Sequence, residues 1–104
     1  MIQANEEIPI LDEHTAAHVA ELFRAFSDTN RVRLLSVMVK GECNVSTLAE
    51  KVGISPSAVS HHLRSLRQMR LIVSRREGKE VFYRLEDAHI RTLFEQGVSH
   101  ILKG

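Results

Sequence analysis

At 104 residues, 43% hydrophobic and 26% charged, the chain has the size and composition of one small soluble domain. No apolar run approaches the roughly 20 residues that cross a bilayer, and no charged-then-apolar start marks an export signal, so a cytoplasmic location is expected. The single cysteine, Cys43, excludes an internal disulfide, and a formal net charge of +1 by itself points to no partner.

Charge placement is more informative. Before Arg24 stand Glu6, Glu7, Asp12, Glu13 and Glu21 with no lysine or arginine, whereas Arg64, Arg67, Arg70, Arg75, Arg76, Lys79 and Arg84 are opposed only by Glu77 and Glu80. A local basic patch on a near-neutral chain is either a phosphate-binding surface or a solvated helix face followed by a charged hairpin.

In chain order, residues 1–12 lack periodicity and read as a flexible leader, followed by one domain over 13–104. A first helix is predicted from near Glu13 to Phe26, with Val19, Leu22, Phe23 and Phe26 on its apolar face. Asp28 caps a second, in which Val32, Leu35 and Val39 repeat up to Lys40-Gly41. Ser46 or Thr47 caps a short third helix, Thr47 and Glu50 having capping-box spacing, and Gly53 closes it. Ser55-Pro56 opens a fourth, because serine caps well and proline lacks an N–H that the first turn leaves unpaired anyway. "LIVSRREGKEVFYRL" then reads as two strands around Glu77-Gly78-Lys79-Glu80. A last helix from Glu86 to Leu102 carries Ile90, Leu93, Phe94, Val98, Ile101 and Leu102.

The fourth helix has two distinct sides. Val59, Leu63 and Leu66 form an apolar stripe, while Ser57, Ser60, His61 and Arg64 stand at i, i+3, i+4 and i+7 on a polar one. A short helix, a glycine turn and a helix with one polar face is the layout of a helix-turn-helix, whose second helix enters the major groove. His62 points away from the polar face and reads as partly buried and structural. Surface serines alone would leave a protein-docking module as a rival, whose binding would lack the steep salt dependence of phosphate contacts. No Gly-rich phosphate loop, oriented nucleophile–base pair or paired-carboxylate motif suggests an enzyme.

"SPSAVSHHLRSLRQMRLI", preceded by "NVSTLAEKVGI" and followed by "RREGKEVFYRL", resembles the ArsR/SmtB family of bacterial transcriptional repressors. The resemblance runs from "FSDTNRVRLLSVM" to the last helix. It implies a mainly α fold with a β-hairpin wing, a winged helix-turn-helix that dimerises through its first and last helices. It further implies release from an inverted-repeat operator in double-stranded DNA when a metal binds. Carried over, Ser57, Ser60, His61 and Arg64 would read bases or phosphates, and Arg75, Arg76 and Lys79 would touch the backbone from the wing.

The resemblance also implies two sensing positions. Where thiol sensors carry Cys-x-Cys on the third helix, this chain reads Asn44-Val45-Ser46, and one displaced thiol, Cys43, cannot make a soft-ion site. The zinc-type pattern, Asp-x-His, ten intervening residues, then His-x-x-Glu or His, matches at Asp87, His89 and His100, but Lys103 stands at the fourth position. His89 and His100 are rotated by only about 20° yet lie about 16 Å apart along a helix, so one chain cannot close the site. Two antiparallel copies would, giving two inter-subunit sites for Zn(II), or Co(II)/Ni(II), in a homodimer. Water, His14 or His18 remains open as a fourth ligand. The plain alternative makes Asp87 a helix-start carboxylate, the histidines interface residues and the metal site degenerate.

Overall fold

The computed structural model describes residues 8–104, and its elements follow the predicted order: α1 (Glu13–Ala25), α2 (Thr29–Met38), α3 (Val45–Val52), α4 (Pro56–Gln68), β1 (Ile72–Glu77), β2 (Glu80–Leu85) and α5 (Ala88–Leu102). Of the leader read over 1–12, residues 1–7 lie outside the described residues, and Asp12 belongs to α1 as its cap, accepting from the Thr15 N–H at 2.8 Å. No helix among the described residues is long and apolar enough to cross a membrane.

Each helix starts where a short polar side chain satisfies an N–H that the first turn leaves free. Asp28 caps α2 through the Arg31 N–H, and Ser55 caps α4 through the Ala58 N–H, with Pro56 in the first turn. The cap of α3 is neither Ser46 nor Thr47. Asn44 holds it, its Oδ1 accepting from the Thr47 N–H at 2.9 Å, so Thr47 is already inside the first turn and the Thr47–Glu50 box does not form. Gly53, with φ +77°, ends α3 in the left-handed conformation that glycine takes without strain.

The core forms where α2, α3 and α4 meet. Leu34, Leu35 and Met38 of α2, Leu48 and Val52 of α3, and Val59, Leu63 and Leu66 of α4 are buried together, with Leu71, Ile72 and Leu85 from the base of the hairpin. Arg33 of α2 donates through Nη1 to the Val52 carbonyl at 2.8 Å, satisfying an acceptor at the end of α3. In contrast, α1 and α5 each bury a single residue, Ala25 and Phe94. The rest of their apolar stripes is covered only in part: Leu22, Phe26 and Ile90 pack half-buried against the core, whereas Phe23 is 53%, Ile101 74% and Leu102 80% exposed.

The hairpin pairs Ile72 with Leu85 through Glu77 with Glu80, in antiparallel register. Its two-residue turn places Gly78 at φ +63° and keeps Lys79 at negative φ, the pattern of a type II′ turn that matches strand twist. A further backbone pair was not legible in the sequence: Cys43 donates to Tyr83 O at 3.0 Å, and Tyr83 donates back to Cys43 O at 2.8 Å. The segment before α3 thereby extends the wing at its base.

α4 ends in a Schellman motif: Leu71 N–H reaches Leu66 O and Arg70 N–H reaches Arg67 O, with the apolar pair Leu66 and Leu71 buried. Arg70 occupies the left-handed position at φ +63°, where a side chain costs about 1–2 kcal/mol relative to glycine. Glycine's greater freedom in the unfolded chain offsets about 0.4–1 kcal/mol of that relief. Arg70→Gly is therefore expected to raise the urea midpoint slightly; a lowered midpoint would show that the Arg70 side chain contributes more than its backbone strain costs.

Candidate nucleic-acid interface and metal centre

Burial of Val59, Leu63 and Leu66 turns the opposite face of α4 outward, and Ser57, Ser60, His61 and Arg64 are all exposed on it. His62 is set apart as expected, with only 15% of its side chain exposed. Its Nδ1 accepts from Arg31 Nε at 3.4 Å, and its Nε2 lies 3.8 Å from Asp28 Oδ2, tying α4 to the start of α2. Beside the outward face, a cleft of about 460 Å³ runs between α4 and β2, lined by Ser60, Arg64, Arg67 and Tyr83.

Strand alternation separates the wing arginines. The register puts Arg75, Glu77, Glu80 and Phe82 on one face and Ser74, Arg76, Val81 and Tyr83 on the other. Tyr83 lines the cleft against α4, so Arg76 lies on the side of the wing shared with α4. Arg75 lies on the far side, and its guanidinium is already engaged. Nε and Nη2 donate to the two Glu42 oxygens, each at 2.8 Å, Nη1 donates to Glu77 at 3.0 Å, and the group sits 4.9 Å from the centre of the Phe82 ring. Arg75, expected with Arg76 and Lys79 to contact phosphate, is half-exposed and bridged to Glu42 and Glu77 within the chain, an arrangement that charge counting does not reveal. Arg84, also exposed, folds back along the chain, donating to the Leu85 and Glu86 carbonyls. Among the described residues, Arg76 and Lys79 enter no ion pair and stay exposed.

The candidate metal residues all belong to α5 or its cap. Asp87 caps the helix, Oδ1 accepting from the Ile90 N–H at 3.1 Å, while Oδ2 lies 3.6 Å from His89 Nδ1. That backbone hydrogen bond, with His89 adding to it, holds the carboxyl below its ordinary range and keeps it anionic. His89 is 95% exposed on its side chain, and His100 is exposed near the other end of the helix. One chain thus brings Asp87 and His89 together and leaves His100 apart; among the described residues of a single chain, no group of three ligating side chains gathers. An oxygen of Asp87 and the imidazoles are open to a cation, a donor set suited to zinc, cobalt or nickel. Lys103 caps the C-terminus of α5 and offers no lone pair. On α1, the exposed His14 and His18 rings stand 4.6 Å apart. Half-buried Cys43 has its thiol pushed up by burial, which favours the protonated form.

The same helix lines an apolar depression of the surface. An open groove of about 480 Å³ lies between Phe23, Phe26 and Val32 on one side and Phe94, Val98 and Ile101 on the other.

A small helical core, an outward-facing second helix of a helix-turn-helix and an adjoining β-hairpin define a winged helix-turn-helix. The profile of the bacterial regulatory proteins of the arsR family matches residues 28–74, from the α2 cap to the start of the wing. The transcriptional repressor SmtB homolog of Synechocystis is 40% identical over 99 residues, covering 95% of this chain and 74% of that protein. The cadmium resistance transcriptional regulatory protein CadC homolog of Staphylococcus aureus is 39% identical over 83 residues, 79% of this chain and 69% of that one. The crystal structure of the AntR antimony-specific transcriptional repressor superposes with a TM-score of 0.83 at 27% identity, covering 99% and 96% of the two chains. The chain belongs to the ArsR family of bacterial regulatory proteins, whose members are transcriptional regulators and not enzymes.

The Glu42–Arg75 bridge makes the wing acid-sensitive. Hydrogen bonding from Arg75 lowers the Glu42 pKa in the folded chain, so its contribution is complete above the ordinary glutamate range and disappears as pH falls through the lowered value. The melting temperature of wild type should exceed that of Glu42→Gln near pH 7, with the difference closing in acid. A difference that persists unchanged below the carboxylate range would contradict the linkage.

Proposed function

We propose that the chain is a homodimeric repressor that binds an inverted-repeat operator and loses affinity when zinc, or a similar divalent ion such as cobalt or nickel, fills two inter-subunit sites. The observation that carries this reading is the juxtaposition on α5 of an apolar groove and a divided ligand set. The groove lined by Phe23, Phe94, Val98 and Ile101 is a face that a second copy would cover. With two copies of α5 antiparallel, Asp87 and His89 of one would stand opposite His100 of the other. The exposed donors of each chain would then complete a site that neither holds alone. Metal names among the relatives, cadmium and antimony, support a metal as the signal without choosing which.

DNA is bound, in this reading, by Ser57, Ser60, His61 and Arg64 in the major groove, while Arg76 and Lys79 hold the backbone. The bound metal supplies a fixed bridge between subunits; the chain supplies two-fold helices whose tilt then no longer matches successive grooves. By linkage, DNA must weaken metal binding by the same factor. Lys103 favours one alternative, a regulator of the same fold whose metal site is degenerate. The two part on a single comparison: at fixed salt, saturating zinc should lower operator affinity by roughly fivefold or more, and equal affinity would establish the degenerate form.

Two sets of variants test the division of labour. His100→Ala should bind operator as wild type does but no longer respond to metal, whereas Ser60→Ala and His61→Ala should lose operator binding and keep the metal; equal loss of DNA binding in both sets would refute the separation. Arg76→Ala and Lys79→Ala should each flatten the slope of log affinity against log salt by about 0.9, and an unchanged slope would remove the wing from the phosphate contacts.

A further inference from the structure

We infer that the segment between α2 and α3 sets the angle of the wing, with Glu42 and Asn44 acting as positioning residues for DNA binding. Three ties join this segment to the hairpin in register. Glu42 takes Arg75 of β1 in a two-pronged bridge at 2.8 Å. Cys43 exchanges both backbone hydrogen bonds with Tyr83 of β2. Asn44 donates through Nδ2 to Glu80 Oε1 at 2.6 Å, beside the turn.

The Asn44 side chain works at both ends. Its oxygen caps α3, the first helix of the helix-turn-helix, while its nitrogen holds the wing. α3 is packed on α4 through the shared core, so one amide links the orientation of the recognition helix to that of the hairpin. Arg75 is bound by two carboxylates, Glu42 and Glu77, on the wing face away from α4. A guanidinium so neutralised adds little to phosphate attraction, but its planar fork fixes geometry well. The phosphate-facing charge then falls to Arg76 and Lys79, and Arg75 becomes part of the mount that aims them.

This rests on the reading of α4 and the wing as the DNA face, and pair exchanges test it separately. The probe is a duplex selected by the wild-type chain from a random-sequence pool; selection of none would overturn the DNA reading itself. Arg75→Glu, which sets three carboxylates together, should weaken binding roughly fivefold. The exchange of both partners, Glu42→Arg with Arg75→Glu, should restore affinity to within about twofold, with an unchanged salt slope. If Arg75 were a phosphate contact, the exchange would stay impaired, with a flatter slope.

Asn44→Asp keeps the cap oxygen but opposes Glu80, and should also weaken binding roughly fivefold. Adding Glu80→Gln returns the amide–carboxylate pair with its ends reversed and the net charge of the wild type, and should restore binding. Circular dichroism melts confirm that each variant is folded. Single variants that bind as wild type, or exchanges that fail to restore binding in a folded chain, would overturn the inference.

Discussion

The apolar stripe of α4 is the constraint on which the rest depends. Val59, Leu63 and Leu66 are buried against α2 and α3, and a helix fixed by one face has no freedom in what it presents on the other. Ser57, Ser60, His61 and Arg64 therefore point outward as a set, without needing any contact to hold them there. Both ends of α4 are pinned as well, by the Ser55 cap and by the Schellman turn at Arg70. His62 adds a polar tie to Arg31 and Asp28 on the buried side. Truncating a leucine of that stripe would cost about 2–5 kcal/mol, a large share of what a domain this small has.

The wing is mounted on that framework by polar contacts rather than by a large core. Its base shares Ile72 and Leu85 with the interior, but toward the tip the strands are half-exposed or exposed. Position is then maintained by the Cys43–Tyr83 backbone pair and by the Glu42 and Asn44 side chains. Adjacent arginines with the same charge acquire different work: alternation sends Arg75 to a carboxylate clasp and Arg76 to the side facing the recognition helix.

Where structure depends on neighbours in sequence, it was legible. The Ser55-Pro56 start, the glycine that ends α3, the stripe of α4 and the tight turn at Gly78 each rest on chemistry contained within a few residues. The α3 cap was misplaced for a local reason, since Ser46 and Thr47 compete with Asn44 as caps and only the backbone shows which one sits three residues before a free N–H. Contacts between distant positions were not legible. Glu42 and Arg75 stand 33 residues apart, and nothing in either segment announces the other. For α1 and α5, periodicity marks an apolar stripe without saying whether it meets the chain's own core or another molecule, and the structure divides each, with Leu22, Phe26 and Ile90 packed on the core and Phe23, Val98, Ile101 and Leu102 exposed.

Those stripes connect the proposed DNA face to the candidate metal residues. α5 carries Phe94 into the core at one point and displays Val98, Ile101 and Leu102 to water over its second half. A second copy seated there would cover the apolar surface, bring Asp87 and His89 toward His100 of the partner subunit, and fix the separation of two α4 helices. The most direct measurement is a pulsed electron–electron distance between spin labels at Ser57→Cys, in a Cys43→Ala background. A narrow distribution near one helical turn of DNA, about 34 Å, is expected for paired chains. A chain that sediments as a monomer and gives no intermolecular distance would contradict it.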